Sequence, residues 1–226
     1  MRYKKRKKSS CYLSDYKQLG IITGVGIGIL IVICIMFGSI LRKDKQTMAD
    51  RLKTPLVEKP NITEMFLEPN EYSRPQLPLE KVNGVVVHYT ANPGTDAKSN
   101  RNYFNNLKDT KATKVSSHFV IGLDGKIIQC VPLDEVAYAS NNRNSDTISI
   151  ECCHPDKSGK FTDETYQSLV ALTAWLCGTY NLKSDDLLRH YDITGKQCPL
   201  DYVKYPEKWE NFKEDVLTYI EENKMN

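Results

Sequence analysis

Residues 84–90 read Gly-Val-Val-Val-His-Tyr-Thr, a run of β-branched residues that ends in polar side chains. Asn92-Pro93-Gly94 follows almost at once and contains the residue types that favour a turn. A short apolar run bounded by turn residues predicts a buried strand. We therefore expect the chain to build a β-sheet around residues 84–90, with His88 near the end of one strand.

Strand and helix patterns alternate on the C-terminal side of this stretch. Asp124-Gly125 separates two apolar runs and is a strong signal for a β-hairpin. Strands interleaved with helices indicate an α/β fold, a mixed central β-sheet flanked by helices. The predicted strands are 118–122, 126–131 and 147–152, and the predicted helices are 100–107, 163–180 and 209–222.

The formal net charge of +3 hides two regions of opposite sign. Residues 1–45 hold ten of the 31 basic residues but two of the 28 acidic ones, which gives +8. The rest of the chain therefore holds 21 basic and 26 acidic residues, which gives −5. With 40% hydrophobic and 26% charged residues, the composition excludes a disordered, collagenous or polytopic membrane protein.

Gly20 to Leu41 is a run of 22 residues without a charged side chain. As a helix it would be about 33 Å long, enough to cross a hydrocarbon core of about 30 Å. A removable signal peptide is the alternative, but its apolar part is shorter and ends in small residues, whereas this run leads into Arg42 and Lys43. We therefore predict one N-terminal transmembrane helix over residues 20–41.

The flanking charges predict the orientation of this anchor. Seven Lys or Arg residues precede the span, and five follow it up to residue 53. The positive-inside rule then makes residues 1–19 a basic cytoplasmic segment of a single-pass cell-membrane protein and places the C-terminal bulk outside the cell. A basic cluster can also bind nucleic acid, but beside an apolar span the topology explains it better, and we expect no nucleic-acid partner.

A proline-rich segment separates the span from the globular part. Five of the ten prolines lie in residues 54–81, with little apolar periodicity. Because proline fixes φ and removes a hydrogen-bond donor, this stretch is expected to be an extended tether or a wrapping strap rather than core. We assign residues 42–81 to the tether and 82–226 to one globular domain, which is long enough to bury a core.

Two of the four histidines stand in unusual positions. His88 ends the apolar strand, whereas His190 follows Leu187-Leu188-Arg189 and precedes Cys198 by eight residues. Imidazole and thiolate groups are zinc ligands, and a catalytic zinc keeps three protein ligands and one open position. The spacing alone is not specific, since a histidine at a strand end is more often structural and a single cysteine more often an inert core thiol.

Four separated motifs favour the metal site over these alternatives. They are Val86-Val87-His88-Tyr89-Thr90, Ser117-His118-Phe119, Ser149-Ile150-Glu151 and residues 189–199, Arg-His-Tyr-Asp-Ile-Thr-Gly-Lys-Gln-Cys-Pro. In order and distance they resemble the zinc-dependent N-acetylmuramoyl-L-alanine amidases, a family similar in fold to phage T7 lysozyme and the peptidoglycan recognition proteins. The resemblance covers about residues 80–200.

This resemblance implies that His88, His190 and Cys198 bind Zn²⁺ and that Glu151 and Lys196 are catalytic. Many members have Asp at the position of Cys198, and Cys is a known variant. The chemistry agrees, because a carboxylate can move a proton from water to a leaving amine and a fixed cation can stabilise an oxyanion. Without the resemblance, Glu151 would be interpreted as an outward-facing strand residue and Lys196 as a solvated loop residue.

Other polar residues near these motifs receive weaker assignments. Some phage-type members have a helper tyrosine at the position of Ser117, so the general base is assigned to Glu151 instead. His118 is expected to line the groove or support a ligand. Asp192 either orients a ligand histidine or caps a turn. His154, in a polar loop, is expected to be exposed.

The remaining cysteines leave two alternatives open. Seven are too few for a disulfide scaffold, and the odd number leaves at least one unpaired in a monomer. Cys152 and Cys153 are adjacent on a predicted strand and therefore point to opposite faces, so only one of them could pair across the sheet, with Cys130. The alternative is that these cysteines are small buried apolar residues.

Two classes of function follow from the resemblance. The first is a membrane-anchored peptidoglycan hydrolase that cleaves the amide between N-acetylmuramic acid and L-alanine, and an amidase acting on a related amide is a variant of it. The second is a non-catalytic peptidoglycan-binding domain, but such relatives typically lack a zinc ligand, and none is missing here. We expect a monomeric bacterial enzyme whose partners are peptidoglycan, through its glycan strand and stem peptide, and the membrane.

Overall fold

A computed structural model describes residues 53–225 of the chain. The predicted basic segment 1–19, the predicted span 20–41 and the first part of the predicted tether lie outside these residues. Within residues 53–225, no helix combines the length and the hydrophobicity that crossing a bilayer requires. The chain from Thr54 onward forms one compact unit.

The described residues form a six-stranded sheet with helices on it. Its strands are β1 (Ile62–Glu64), β2 (Val85–Tyr89), β3 (Phe119–Ile121), β4 (Ile127–Gln129), β5 (Ile148–Cys152) and β6 (Leu187–Arg189). The α-helices are α1 (Ala97–Thr110), α2 (Asp163–Tyr180), α3 (His190–Thr194), α4 (Leu200–Lys204) and α5 (Pro206–Asn223). Two 3₁₀ turns complete the structure, Asn141–Arg143 and Ser184–Asp186.

The strand order is β1-β4-β3-β5-β2-β6. The pair β3 and β4 is antiparallel and forms the predicted hairpin, whereas β1 with β4, β3 with β5, β5 with β2, and β2 with β6 are parallel. The predicted mixed sheet flanked by helices is therefore confirmed for the described part of the chain. Because β3, β5, β2 and β6 run in one direction, their carboxyl ends meet at one edge of the sheet.

Strand β2 lies inside the sheet with a partner on each side, which explains its apolar sequence. Val87 pairs with Ile150 of β5 on one side and with Arg189 of β6 on the other. Val85 and Val87 belong to the main hydrophobic core between the sheet, α2 and α5. Side chains alternate along a strand, so His88 points to the opposite face from Val87.

Helix α2 begins and ends where its sequence provides caps. The Thr162 hydroxyl accepts a hydrogen bond from the Thr165 amide at 3.1 Å, and Asn181 ends the helix with a left-handed φ of 56°. Leu169 and Leu172 of this helix are fully buried in the main core, together with Phe212 of α5.

Helix α1 lies in a second, smaller core on the other face of the sheet, where Phe104 packs with Val120 and Ile128. It is longer than the predicted segment 100–107. The Asp96 carboxylate accepts from the Ser99 amide at 2.6 Å and starts the helix at Ala97. The apolar pattern did not indicate this additional turn, because the cap is polar and local.

The described part of the predicted tether, Thr54 to Lys81, packs on the domain, so the tether assignment needs correction there. Strand β1 joins the sheet edge beside β4, and Val57, Leu67 and Leu79 have exposed fractions of 3%, 1% and 6%. The Arg74 guanidinium holds the Glu135 carboxylate with two hydrogen bonds, at 2.8 and 2.7 Å. This segment is the wrapping strap, the alternative that the proline content left open. The expectation that it lies outside the core was wrong, because Val57 and Leu79 belong to the main core and Leu67 to the smaller one.

Truncation of a strap residue tests this packing. Replacing Leu67 by alanine is expected to lower the free energy of unfolding by about 2–5 kcal/mol, because a fully buried leucine leaves a cavity. Leu77, in the same segment, is 49% exposed, so Leu77→Ala is expected to change the free energy of unfolding by less than about 0.5 kcal/mol. Urea denaturation followed by tryptophan fluorescence gives both values, and equal effects of the two substitutions would contradict a packed strap.

All five cysteines within residues 53–225 are free and buried. Cys152 lies in the main core and Cys153 in the core beneath α1, as expected for neighbours on a strand. Burial raises the pKa of Cys130 to about 12 and that of Cys153 to about 12, so both thiols stay neutral. Of the two alternatives, these cysteines are therefore buried apolar residues rather than a disulfide.

Candidate metal centre

The carboxyl edge of the sheet brings together His88, His190 and Cys198. His88 lies near the end of β2, and His190 directly follows β6. Because Val87 pairs with Arg189, the residues that follow them lie side by side. Cys198 comes from the loop between α3 and α4, and its backbone carbonyl accepts from the Tyr191 amide at 3.0 Å.

The three side chains converge on one point. The ligand atoms all lie within 4.8 Å of one another, and all three residues are buried. The two Nδ1 atoms are 3.2 Å apart, and the Cys198 Sγ is 3.9 Å from the Nδ1 of His88. Ideal tetrahedral zinc would put two nitrogens about 3.3 Å apart and a sulfur about 3.6 Å from a nitrogen. The chemistry of the three donors and these two separations therefore fit zinc.

The protonation states of the metal-free side chains suit this role. Burial lowers the pKa of His88 well below its usual value, and the nearby His190 and Lys196 add to the effect. Burial also lowers the pKa of His190, and the positive charge of Lys196 adds a smaller effect in the same direction. Both imidazoles are thus neutral, which is the form that binds a metal.

Cys198 differs from the histidines because it must lose a proton to become a ligand. Burial raises its pKa to about 12, and the Glu151 carboxylate raises it too, whereas a hydrogen bond from the Tyr89 backbone and the Lys196 charge oppose this. A bound metal favours the thiolate directly, so metal binding at this centre is expected to release a proton.

Glu151 lies beside this cluster, because it pairs with His88 in the register of β2 and β5. Its Oε2 atom is inaccessible to solvent and has no hydrogen-bond partner within the described chain. Burial raises the pKa of Glu151 to about 8, and the Lys196 ammonium opposes the shift. In the metal-free chain this carboxyl group therefore gains and loses its proton close to neutral pH.

Lys196 is exposed on the loop between α3 and α4, two residues before Cys198. Its positive charge acts on the pKa values of His88, His190 and Glu151. The structure thus brings a solvated cation near the predicted ligands and the predicted base.

His118 lies outside this cluster and is fully buried. Its Nδ1 accepts from the Ser149 amide at 3.0 Å, and its Nε2 donates to the Glu135 carbonyl at 2.9 Å. Both ring nitrogens are therefore used to join β5 to the loop after β4. His118 ties elements of the fold together and does not line a groove. The neighbouring Ser117 hydroxyl donates to the Ser149 carbonyl and is buried as well.

The burial of His118 predicts acid sensitivity of the fold. Its pKa is lowered to about 4 by burial, whereas an unfolded histidine titrates near 6.5. Between these values the unfolded chain binds the extra proton, so stability present above pH 6.5 is lost as the pH falls to 4. Over this pH range the free energy of unfolding falls by about 3 kcal/mol. The measurement is urea denaturation of metal-free protein between pH 4 and 7.5. His118→Gln is expected to remove this part of the pH dependence of the free energy of unfolding. The same pH dependence in the variant and the parent would contradict the prediction.

Two further predictions are settled by side-chain contacts. His154 is buried at 1% exposure, packs its ring on Tyr89 with centroids 5.0 Å apart, and donates from Nδ1 to the Asp156 carbonyl at 2.6 Å. The expectation that it is exposed was wrong, because its ring packs on Tyr89 at the end of β2. Asp192 accepts from the Arg189 amide at 2.8 Å and pairs with its guanidinium, so it caps α3.

Sequence reasoning missed the residues that contact the Nε2 atoms of the two histidines, on the side away from the centre. The Ser140 Oγ lies 3.3 Å from Nε2 of His88, and the Asn141 Oδ1 lies 3.0 Å from Nε2 of His190. A run of Asn and Ser after a predicted strand indicates only a loop. These contacts join residues 49 and 52 positions apart, so the local pattern contains no signal for them.

The fold and the centre define a class of protein: a mixed α/β domain with two histidines and one cysteine gathered at the carboxyl edge of its sheet. The sequence pattern of the N-acetylmuramoyl-L-alanine amidase family matches residues 78–201. This match spans more than half of the 226 residues, and the chain belongs to that family. The resemblance to N-acetylmuramoyl-L-alanine amidases inferred from the four motifs is thereby confirmed.

Individual relatives agree with the family. The N-acetylmuramoyl-L-alanine amidase CwlL of Bacillus licheniformis is 36% identical over 169 residues, covering 69% of this chain and 46% of that relative. The chain thus spans about half the length of the curated relatives it matches. The solved catalytic domain of XlyA is 25% identical with a TM-score of 0.59, covering 70% of this chain and 99% of that one. PlyL, at 24% identity and a TM-score of 0.60 over 70% of this chain and 97% of that one, shares the fold.

Proposed function

We propose that this chain is a zinc-dependent peptidoglycan hydrolase that cleaves the amide between N-acetylmuramic acid and L-alanine. The observation that carries the proposal is the convergence of His88, His190 and Cys198, with Glu151 alongside, in a member of the amidase family. The curated relative CwlL is named for this activity.

The proposed reaction divides the work among a few side chains. His88, His190 and Cys198 would hold the zinc ion, which supplies a Lewis acid and a water of lowered pKa when bound. Glu151 accepts the proton of the attacking water on its carboxylate and returns it to the leaving nitrogen. The Lys196 ammonium stabilises the negative charge that develops on the carbonyl oxygen.

The experiment is digestion of purified peptidoglycan with the full chain, with and without a chelator, followed by analysis of the new ends. New L-alanine amino termini that disappear with the chelator and return with added zinc are expected. New reducing sugars would contradict an amidase. Binding to the wall without any cleavage would instead support the recognition domain that the sequence left as an alternative.

We also propose that residues 20–41 anchor the enzyme in the cell membrane, with residues 1–19 in the cytoplasm and the catalytic domain outside. The support is the length of the uncharged run and the basic cluster before it. Deleting residues 20–41 is expected to move the chain from the membrane fraction to the soluble fraction. The proposed partners are then peptidoglycan and the membrane, and we expect a monomer.

A further inference from the structure

One loop contacts the outer nitrogens of both candidate histidine ligands. Ser140 and Asn141 are consecutive residues, and each faces the Nε2 atom of a different imidazole, at 3.3 Å from His88 and 3.0 Å from His190. The two Nδ1 atoms face each other at 3.2 Å on the inner side. Each ring thus has one nitrogen at the centre and one at this loop.

The chemistry of the Asn141 side chain favours one tautomer of His190, and the Ser140 hydroxyl is compatible with the same tautomer of His88. The amide oxygen of Asn141 is an acceptor, so it pairs with an Nε2–H of His190 and leaves the Nδ1 lone pair directed at the centre. The Ser140 hydroxyl can accept from the Nε2–H of His88 in the same way. Both rings then present lone pairs at 3.2 Å, an arrangement that a cation between them stabilises.

The loop is built to keep these two side chains in place. Ser140 is 1% exposed, and the Asn144 amide oxygen accepts from the backbone N–H groups of Ala139 and Ser140. Asn141 has a φ of 55°, in the left-handed region that asparagine and glycine adopt most readily. The Thr147 hydroxyl donates to the Arg143 carbonyl at 2.6 Å and fixes the end of the loop.

We propose that Ser140 and Asn141 are positioning residues of the zinc centre, which hold the ring orientation of both histidines from one loop, and that Asn141 also fixes the tautomer of His190. The inference rests on the proposed function, in particular on zinc binding by His88 and His190. Contacts of this kind behind a ligand typically change metal affinity about 10–100-fold. Both side chains face the outer Nε2 atoms, whereas the Nδ1 atoms face the centre.

Asn141→Gly is the sharpest test, because glycine keeps the left-handed backbone and deletes only the amide. Zinc affinity of the full chain is measured by competition with a chromophoric chelator, and the Co²⁺-substituted protein gives an absorption spectrum of the ligand geometry. We expect zinc to bind about 10–100-fold more weakly and the cobalt bands to shift. Ser140→Ala is expected to weaken zinc in the same direction.

Two further variants separate positioning from general damage. Asn141→Asp keeps an acceptor oxygen and is expected to restore zinc affinity to within about threefold of the parent. Asn181→Gly is the matched control, because Asn181 also has a left-handed φ of 56° and a side-chain contact, to the Thr54 amide, but lies at the end of α2. It is expected to leave zinc affinity unchanged.

The outcomes distinguish this inference from the proposed function. Parental zinc affinity in both Asn141→Gly and Ser140→Ala would overturn the positioning role while the zinc enzyme stands. An equal loss in Asn181→Gly would show a general effect on stability and would also overturn it. If the unaltered chain binds no zinc, the zinc centre itself fails. If it binds zinc but cleaves no amide, the activity fails and the positioning role stands.

Discussion

Replacing Glu151 by glutamine is expected to lower kcat for amide hydrolysis by about 10²–10⁴-fold, with little change in KM and with zinc still bound. Glutamine has nearly the shape of glutamate but cannot accept and return a proton. Because Glu151 Oε2 is buried without a hydrogen-bond partner, the substitution breaks no hydrogen bond at that atom and is not expected to weaken the fold. The measurement is the rate of L-alanine end formation on purified peptidoglycan.

A second glutamate serves as the control for this substitution. Glu64 is an exposed residue of β1, at the opposite edge of the sheet from β6, and Glu64→Gln is expected to leave the rate unchanged. Full activity of Glu151→Gln would remove Glu151 from the mechanism. Loss of zinc from that variant would assign it a role in the metal centre instead.

Replacing Cys198 by alanine is expected to have an equally large effect through a different cause. The substitution removes one of three ligands. Loss of a residue that only hydrogen-bonds to a ligand typically weakens zinc binding about 10–100-fold, and we expect a larger loss here. Amide hydrolysis then falls with the zinc content at ordinary zinc concentrations. Metal analysis after dialysis, together with the peptidoglycan assay, gives both values.

Two substitutions make this test specific to the thiolate. Cys198→Asp offers a carboxylate oxygen in place of the sulfur, and it is expected to recover zinc binding and part of the activity. Cys177 is a buried free thiol in the main core, outside the three-residue cluster, so Cys177→Ala is expected to retain zinc. A Cys198→Ala variant that binds zinc as tightly as the parent would exclude Cys198 from the metal centre.

The environment of Glu151 shows how the fold sustains this chemistry. The same burial that leaves Oε2 without a partner raises the pKa of the carboxyl group to about 8. Burying such a group costs stability, and sites where this cost is retained are often functional.

The sequence was most informative where one physical signal dominated a whole segment. The period of apolar residues predicted α2 with its observed bounds, and the Asp124-Gly125 turn predicted the hairpin of β3 and β4. It was least informative for the strap and for β1. Proline and polar residues there suppress the periodic signal, although Leu67 is buried in the smaller core with residues distant in the chain.

The motifs identified the side chains that can bind zinc, because few residue types do so and their sequence context was specific. Their convergence within 4.8 Å is a property of the sheet, in which the pairing of Val87 with Arg189 places His88 beside His190. The roles of His154 and His118 also depend on this packing, since burial and partner atoms decide whether an imidazole is exposed, structural or a ligand.

The amino-acid sequence by itself determined the class of fold, the family and the set of candidate ligands. These depend on local patterns of hydrophobicity and on residue types with specific chemistry. Only the tertiary structure decided that the proline-rich segment packs as a strap, that the remaining described cysteines stay unpaired, and that Ser140 and Asn141 lie behind the two histidines. Such contacts join residues far apart in the chain, and their geometry exists only once the sheet has formed.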